Sequence, residues 1–485
     1  MAPTRHPAPE ARTDEADGFV PSTLRVARWI EAYRERLDDL PVLSRVRPGD
    51  VAAALPEAPP EEPEGYEAIL ADLDRTIVPG LTHWNHPGFM AYFCSSSADP
   101  GLLAEFVTAA FNVNAMLWRT SPAATELEER MVEWTRDFVG LPDSFGGVIQ
   151  DTASISTFVA LLAARHEAFP EVREDGLRRR FGRGGPDTGA GRVYGSELAH
   201  SSLDKAVIAA GLGHRNLVRI EVDREYALRP EALDHALRDD RAAGRVPVMV
   251  CATIGTTSCA SVDPVDAIAD VCAAHDVWLH VDAAYAGPAA ALPELSPRFA
   301  GWERADSIVL NQHKWMSVPL DCSLLLGRRL DAFRASLALT PEYLTSDTTA
   351  TNLMDIGLSL GRRFRALKLW FVFRREGASG IREMIRRHCE LARRFADRVA
   401  SDPRLELSAP PSFGTVCFRV KAIAEEDVAA ASRRLLDRVN DDGRIFLSHT
   451  ELGGRYTLRL VVGSIHTGPA HLAAAWESVT AALDE

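Results

Sequence analysis

The 485-residue sequence is poor in cysteine, in long apolar runs and in positive charge, and each shortage removes a class of protein. Its seven cysteines are scattered, with no CxxC pair and no regular spacing, so neither a disulfide framework nor a metal site is read. Their odd number, with no secretory apolar segment after Met1, points to reduced thiols and a cytoplasmic protein. No apolar run reaches the roughly 18–20 residues that cross a bilayer. Lys and Arg total 54 against 68 Asp and Glu, a formal charge of −14. A nucleic-acid or anionic-membrane partner needs a positive field that this balance does not supply. A small anionic substrate stays open, because it meets only the local field of a pocket. A dinucleotide fingerprint is missing too. Gly182, Gly184 and Gly185 lie in an Arg- and Gly-rich stretch, 178–191, that reads as a surface loop and not as a strand-to-helix turn. There is no internal repeat.

What is present is ordinary globular composition, 46% hydrophobic and 25% charged, in a chain too long for one core. Residues 1–18, rich in Pro, Ala and charge, read as a frayed tail. Residues 19 to about 50 read as a helix with Leu24, Ala27, Ile30 and Tyr33 on one stripe. A Pro- and Glu-rich connector, Leu55 to Glu64, precedes a second amphipathic helix, Tyr66–Ile77. Two such helices hold too little core to stand alone, so the arm should pack on something larger.

From about residue 100 to 330 helices alternate with short β-branched runs. Strand candidates are Arg192–Tyr194, Leu217–Val222, Val246–Thr253, Val277–Val281 and Ser307–Leu310. The helix Pro264–His275 has Asp263 as N-cap and Pro264 at its first position. This alternation predicts an α/β unit with a largely parallel sheet covered on both faces. A long helix to about Val399 follows, then runs at Leu405–Lys421 and Thr457–Val462 and a helix near His471–Leu483, which read as a smaller α+β domain.

Four features carry chemistry. Lys314 follows the apolar strand Ser307–Leu310, within Asn311-Gln312-His313-Lys314-Trp315. Alone it reads first as a lysine snorkelling to the surface, and only second as an amine whose lowered pKa lets it condense with an aldehyde. Asp282 ends a second apolar strand, at the edge where open α/β sheets place ligands. It reads as a helix cap or as a carboxylate that pairs with a protonated pyridine nitrogen. Small Ala284 beside it would let a flat ring approach the backbone, and 32 residues from Asp282 to Lys314 suit one helix and one strand. Thr152-Ala153-Ser154 precede a helical stretch, as an N-cap or as a phosphate site at a helix start. His200 follows the strand Arg192–Tyr194 and reads as a structural imidazole or as one stacked on a ring. Thr253, at another strand end, could bond a phenolic oxygen.

Taken in order, these residues resemble the aromatic-L-amino-acid decarboxylases, group II pyridoxal 5′-phosphate (PLP) enzymes of the aspartate-aminotransferase fold, fold type I. The resemblance runs from about residue 20 to the end. It rests also on Thr82-His83-Trp84, Ala91-Tyr92-Phe93, Ser121–Glu128, His280–Gly287, His313-Lys314-Trp315 and Leu360–Arg365. It implies an N-terminal dimerisation arm (19–98), a large PLP-binding domain (99–367) and a small C-terminal domain (368–485). It further implies a homodimer whose active sites use both subunits.

By that resemblance Lys314 is the Schiff-base lysine, Asp282 pairs with the pyridine nitrogen and His200 stacks on the ring. Ala153, Ser154 and Asn311 hold the phosphate region with Thr152 near; Thr253, Ala284 and His313 complete the cofactor set. Tyr343, in Pro341-Glu342-Tyr343-Leu344, matches a tyrosine on a mobile loop that supports protonation at Cα. Relatives with phenylalanine there divert the reaction to aldehydes, so Tyr343 argues for the amine. Trp84, Tyr92, Phe93 and Ser95 match substrate-pocket positions. Asn114 and Met116 depart from the aliphatic and aromatic residues common there. Gly361 stands where some phenol-preferring relatives carry serine, which leaves room for an indole. The expectation is decarboxylation of an aromatic L-amino acid, with tryptophan or its ring-substituted forms favoured over Dopa, tyrosine and phenylalanine. The rivals are decarboxylation-coupled oxidative deamination, transamination and a non-catalytic scaffold.

Overall fold

The computed structural model describes residues 18–177, 190–339, 350–421 and 425–484. Tyr343, most of the Thr-rich segment after it and most of the Arg/Gly-rich stretch lie outside the described residues.

The large sheet has seven strands: β1 (Gly146–Gln150), β2 (Gly191–Ser196), β3 (Leu217–Ile220), β4 (Val246–Thr253), β5 (Trp278–Asp282), β6 (Ser307–Leu310) and β7 (Ser323–Gly327). Their spatial order is β1-β7-β6-β5-β4-β2-β3, and β7 alone runs against its neighbours. β5, β6 and β7 are buried along their whole length, and β4 in all but its first residue. That is why they read as unbroken apolar runs and not as alternating ones. Alternation survives in which core a side chain joins. Leu324 and Leu326 enter the larger cluster with Val250, Ala252 and Val281. Leu325 enters the other, with Met249, Cys251 and the helix Ala153–Ala168. The sheet is thus clothed on both faces, as predicted.

The small domain is a four-stranded antiparallel sheet in the order β10-β11-β9-β8, formed by β8 (Leu405–Leu407), β9 (Thr415–Val420), β10 (Ser448–Leu452) and β11 (Arg455–Val461). The helices Ala366–Ser401 and Pro469–Asp484 contribute to its core. The first is kinked at Gly377, whose φ of 68° no helix contains.

Several expectations shift. The first helix ends at Glu35, because Asp38, Asp39 and Pro41 favour the 3-10 turn and extended chain that follow. The second is helical from Tyr66 to Asp72 and passes into a π-turn, Leu73–Ile77. β1, hidden by Gly146 and Gly147, is a strand that sequence reading took only as the approach to a helix. β5 and β6 are joined by three 3-10 turns and not by an α-helix, since Pro288, Pro293 and Pro297 interrupt the segment. Asp263 does not cap a helix. Its carboxylate accepts the backbone N–H groups of Leu228 (2.8 Å) and Thr253 (2.7 Å) instead.

The arm leaves large apolar side chains in solvent: Phe19 is 73% exposed and Leu24 52%. Among the described residues no helix is long and apolar enough to cross a membrane.

Candidate active site

Three adjacent parallel strands end side by side. Thr253 closes β4 and pairs in register with Asp282, which closes β5; Asp282 pairs in turn with Val309 of β6. Asn311 follows β6 directly and opens the one-turn helix Gln312–Trp315 that carries Lys314. Across from them the helix Ala153–Ala168 begins just after β1, and His200 stands in the turn beyond β2. These elements enclose a cavity of about 210 Å³. Thr152, Ala153, Ser154, His200, Thr253, Asp282, Ala284, Asn311 and Lys314 all line it, with Phe93. Residues from six separate stretches of sequence therefore meet at one point.

The Lys314 ammonium lies deep in this cavity. Burial lowers its pKa and the Arg459 guanidinium lowers it further, against the opposing pull of Asp282. More of the amine is then free to attack a carbonyl at neutral pH. Asp282 is 8% exposed and accepts the Ala284 N–H at 3.1 Å. His200 is held by Ser202, whose backbone N–H donates to Nδ1 at 3.2 Å and whose hydroxyl lies 2.9 Å from the same atom. An Nδ1 that accepts leaves the ring proton on Nε2. Desolvation and Lys314 lower the His200 pKa, with Asp282 opposing, which favours the neutral ring.

Among the described residues two polar atoms on the wall have no partner: the Thr253 hydroxyl and the Asn311 side-chain oxygen, in residues only 4% and 2% exposed. Buried groups left this way are costly, and they cluster where a ligand completes them. Opposite, the first N–H groups of a 16-residue helix have no intrahelical acceptor and present its positive end, suited to a phosphate. An amine, a buried carboxylate, unpaired polar atoms and a helix start fit a phosphorylated pyridine aldehyde.

Aromatic rings extend from the cavity into the protein. Phe93 stacks on Tyr285 with centroids 3.6 Å apart, and Tyr285 on Trp315 at 4.6 Å. Trp315 donates its indole N–H to His388 Nδ1 at 3.0 Å.

Not every expected residue arrives. His313 does not line the cavity; its Nδ1 accepts the Cys322 N–H at 2.9 Å and so closes the loop behind Lys314. Ser95 donates to the His313 carbonyl at 2.6 Å. Trp84 and Tyr92 lie outside the cavity, 41% and 51% exposed, stacked on one another. Asn114 accepts the Arg362 N–H at 2.9 Å beside Met116, and a side chain added at Gly361 would meet nothing within 4 Å. Sequence reading missed Gly255, Thr257 and Tyr285 as lining residues, although Tyr285 falls within His280–Gly287 and the other two closely follow Thr253. It also missed Arg459, 3% exposed in the apolar strand β11. A charge inside such a run was the available signal.

The conserved-domain model of the pyridoxal-dependent decarboxylases matches residues 48–421. The chain belongs to that family. PLP is accordingly the cofactor of this chain. Among curated relatives, tyrosine decarboxylase 4 of Petroselinum crispum is 41% identical, over 94% of this chain and 92% of its own. Phenylacetaldehyde synthase of Arabidopsis thaliana is 38% identical, over 93% of each. Among solved structures, an Oryza sativa TDC with PLP and tryptamine superposes with a TM-score of 0.93 at 35% identity, covering 98% of this chain and 99% of that one. The fold is therefore fold type I, as the resemblance implied.

Proposed function

We propose that this decarboxylase removes CO2 from an aromatic L-amino acid, tryptophan or a ring-substituted tryptophan before others, and releases the arylalkylamine. The observation that carries the reading is one cavity holding the Lys314 amine, the Asp282 carboxylate and the unpaired Thr253 and Asn311 atoms. No arginine stands among its lining residues, whereas Phe93 does, which suits a neutral aromatic side chain better than an acidic one. Gly361 carries no side chain where some phenol-preferring relatives have serine, which supports the wider indole.

PLP supplies the sink for the electrons left when a bond to Cα breaks. The residues divide the remaining work. Lys314 would hold the cofactor through its aldehyde, and Asp282 would keep its pyridine nitrogen protonated. Ala153, Ser154 and Asn311 would hold its phosphate, and Thr253 its phenolic oxygen. His200 keeps its proton on Nε2, available to the substrate carboxylate, which selects that bond over Cα–H. Tyr343 would support protonation at Cα, and a tyrosine in this place favours the amine over an aldehyde.

We also propose a cytoplasmic homodimer in which the partner's copy of the surface around Trp84 and Tyr92 completes each pocket. The exposed Phe19, Leu24 and Tyr92 support a covering partner. Incubation with L-tryptophan, L-Dopa, L-tyrosine and L-phenylalanine tests the reaction. Amine and CO2 without peroxide are expected, fastest with tryptophan. Aldehyde with hydrogen peroxide would establish the oxidative alternative, the chemistry suggested by the aldehyde-synthase relative.

A further inference from the structure

Asp263 is a carboxylate that nothing in this chemistry uses. It is 1% exposed, and among the described residues it makes no ion pair. Both its oxygens are spent on backbone: one accepts the Leu228 N–H at 2.8 Å, the other the Thr253 N–H at 2.7 Å. Its own N–H donates to the Thr253 carbonyl at 2.9 Å, so the two residues are bound in both directions. Thr253 is the residue whose unpaired hydroxyl faces the cofactor cavity. Behind Asp263 lies a second cavity of about 530 Å³, which it shares with Glu225, Asp266, Arg298 and the small-domain segment Ala409–Ser412.

We infer that Asp263 is a positioning residue for the cofactor, fixing the backbone of Thr253 from behind β4 and thereby aiming its hydroxyl into the cavity. The inference rests on the cavity being the PLP site. The ionised carboxylate offers a full acceptor to each N–H group; protonation leaves one oxygen a weaker acceptor, and an amide turns a donor toward one of them. The fold does not favour that ionised form. Burial raises the Asp263 pKa from 3.8 to about 6, Asp223 adds to the rise, and the two N–H groups only partly offset it. Of the other charges bordering it, Asp266 is engaged with Arg304 and Arg298 with Ser412, while Glu225 shares the second cavity. Because the folded value lies above the unfolded one, folding favours the protonated acid. Stability from this group is present below about pH 4 and lost as pH rises through about 6. Hold on Thr253 changes in the opposite direction, gained as the carboxylate ionises. A group that costs stability in the state that orders the site has the signature of function.

The test uses cofactor-free full-length protein titrated with PLP, together with amide hydrogen exchange at Thr253. Asp263→Asn should weaken PLP binding roughly 10- to 100-fold and speed exchange at Thr253, with the melting temperature at pH 7.5 unchanged or raised. Asp266→Asn, on the same second cavity, should bind PLP as the wild type does. In a Thr253→Val background, Asp263→Asn should cost little more. In the wild type, exchange at Thr253, corrected for intrinsic rate and referenced to Val281, should slow as pH rises from 5 to 7.5. Unaltered PLP affinity in Asp263→Asn, or an equal loss in both backgrounds, would overturn the inference. If the variant does not fold, a wild-type exchange ratio that ignores pH overturns it alone. Absence of PLP binding by the wild type would instead refute the assignment of the cavity.

Discussion

Arg459 and Lys314 address the same ring: the guanidinium carbon lies 4.5 Å and the ammonium nitrogen 5.5 Å from the centroid of Phe93. One cation comes from the small domain and the other from the large, and Arg459 depresses the pKa of Lys314. Arg459→Met should therefore raise that pKa and move reductive trapping of PLP on Lys314 by borohydride to higher pH. The pH midpoint of trapping measures it. Two Arg459 nitrogens are buried without partners, so the exchange should not destabilise the fold.

Thr253→Val replaces an unpartnered buried hydroxyl with a methyl group of the same shape. Leaving such a hydroxyl unpaired costs about 1–3 kcal/mol, so the cofactor-free variant should melt above the wild type. Once PLP is added the order should reverse. Melting curves with and without cofactor decide the matter.

Arg362 and Glu128 form a buried ion pair at 2.5 Å, with side chains 4% and 1% exposed. Glu128 also accepts the Ile149 N–H at 2.8 Å and Arg362 donates to the Ile149 carbonyl at 2.9 Å, so the pair pins β1 just before Thr152. Arg362→Met strands a buried carboxylate and should cost about 3–5 kcal/mol. Adding Glu128→Gln should recover part of that loss in denaturant titrations.

Four buried histidines govern acid sensitivity. Burial holds His86 and His280 down at about 4, and His313 and His388 at about 3, from an ordinary 6.5. Below pH 6.5 the unfolded chain gains protons that the folded one refuses, so stability present above 6.5 is lost as pH falls toward 4 and 3. His388→Gln keeps an acceptor for the Trp315 indole and should flatten this loss, read as melting temperature against pH.

Gly361→Ser should fold as the wild type does, within about 0.5 kcal/mol, since the added atoms meet nothing in this chain. A shift from tryptophan toward tyrosine in competition assays would place Gly361 beside the substrate ring.

The cofactor site was legible in sequence because strand ends leave a local mark. An unbroken apolar run stopping at Asp282, Thr253 or Asn311 identifies both the strand and the residue it delivers. What escaped has a physical reason in each case. β1 carries two glycines where β-branched residues would announce a strand, and it is held by long-range bonds from Arg362 and Glu128. The first helix was read too long because apolar spacing continues past Glu35 while Asp38 and Pro41 end the hydrogen bonding. Asp263 has a cap's address, just before Pro264, and was taken for one. Only the fold brings Leu228 and Thr253 to its two oxygens. Trp84 and Tyr92 stack on one another outside the cavity, and among the described residues a Cβ at Gly361 meets nothing within 4 Å, so none of the three is tied to the site by this chain's contacts.

The unpaired Thr253 hydroxyl and Asn311 oxygen bear finally on how long the protein lasts. A chain that buries polar atoms for a ligand stays marginal until the ligand arrives, and binding then stabilises it by mass action. Vitamin B6 supply should therefore set the abundance of this protein as well as its turnover rate, since proteases sample the unfilled state.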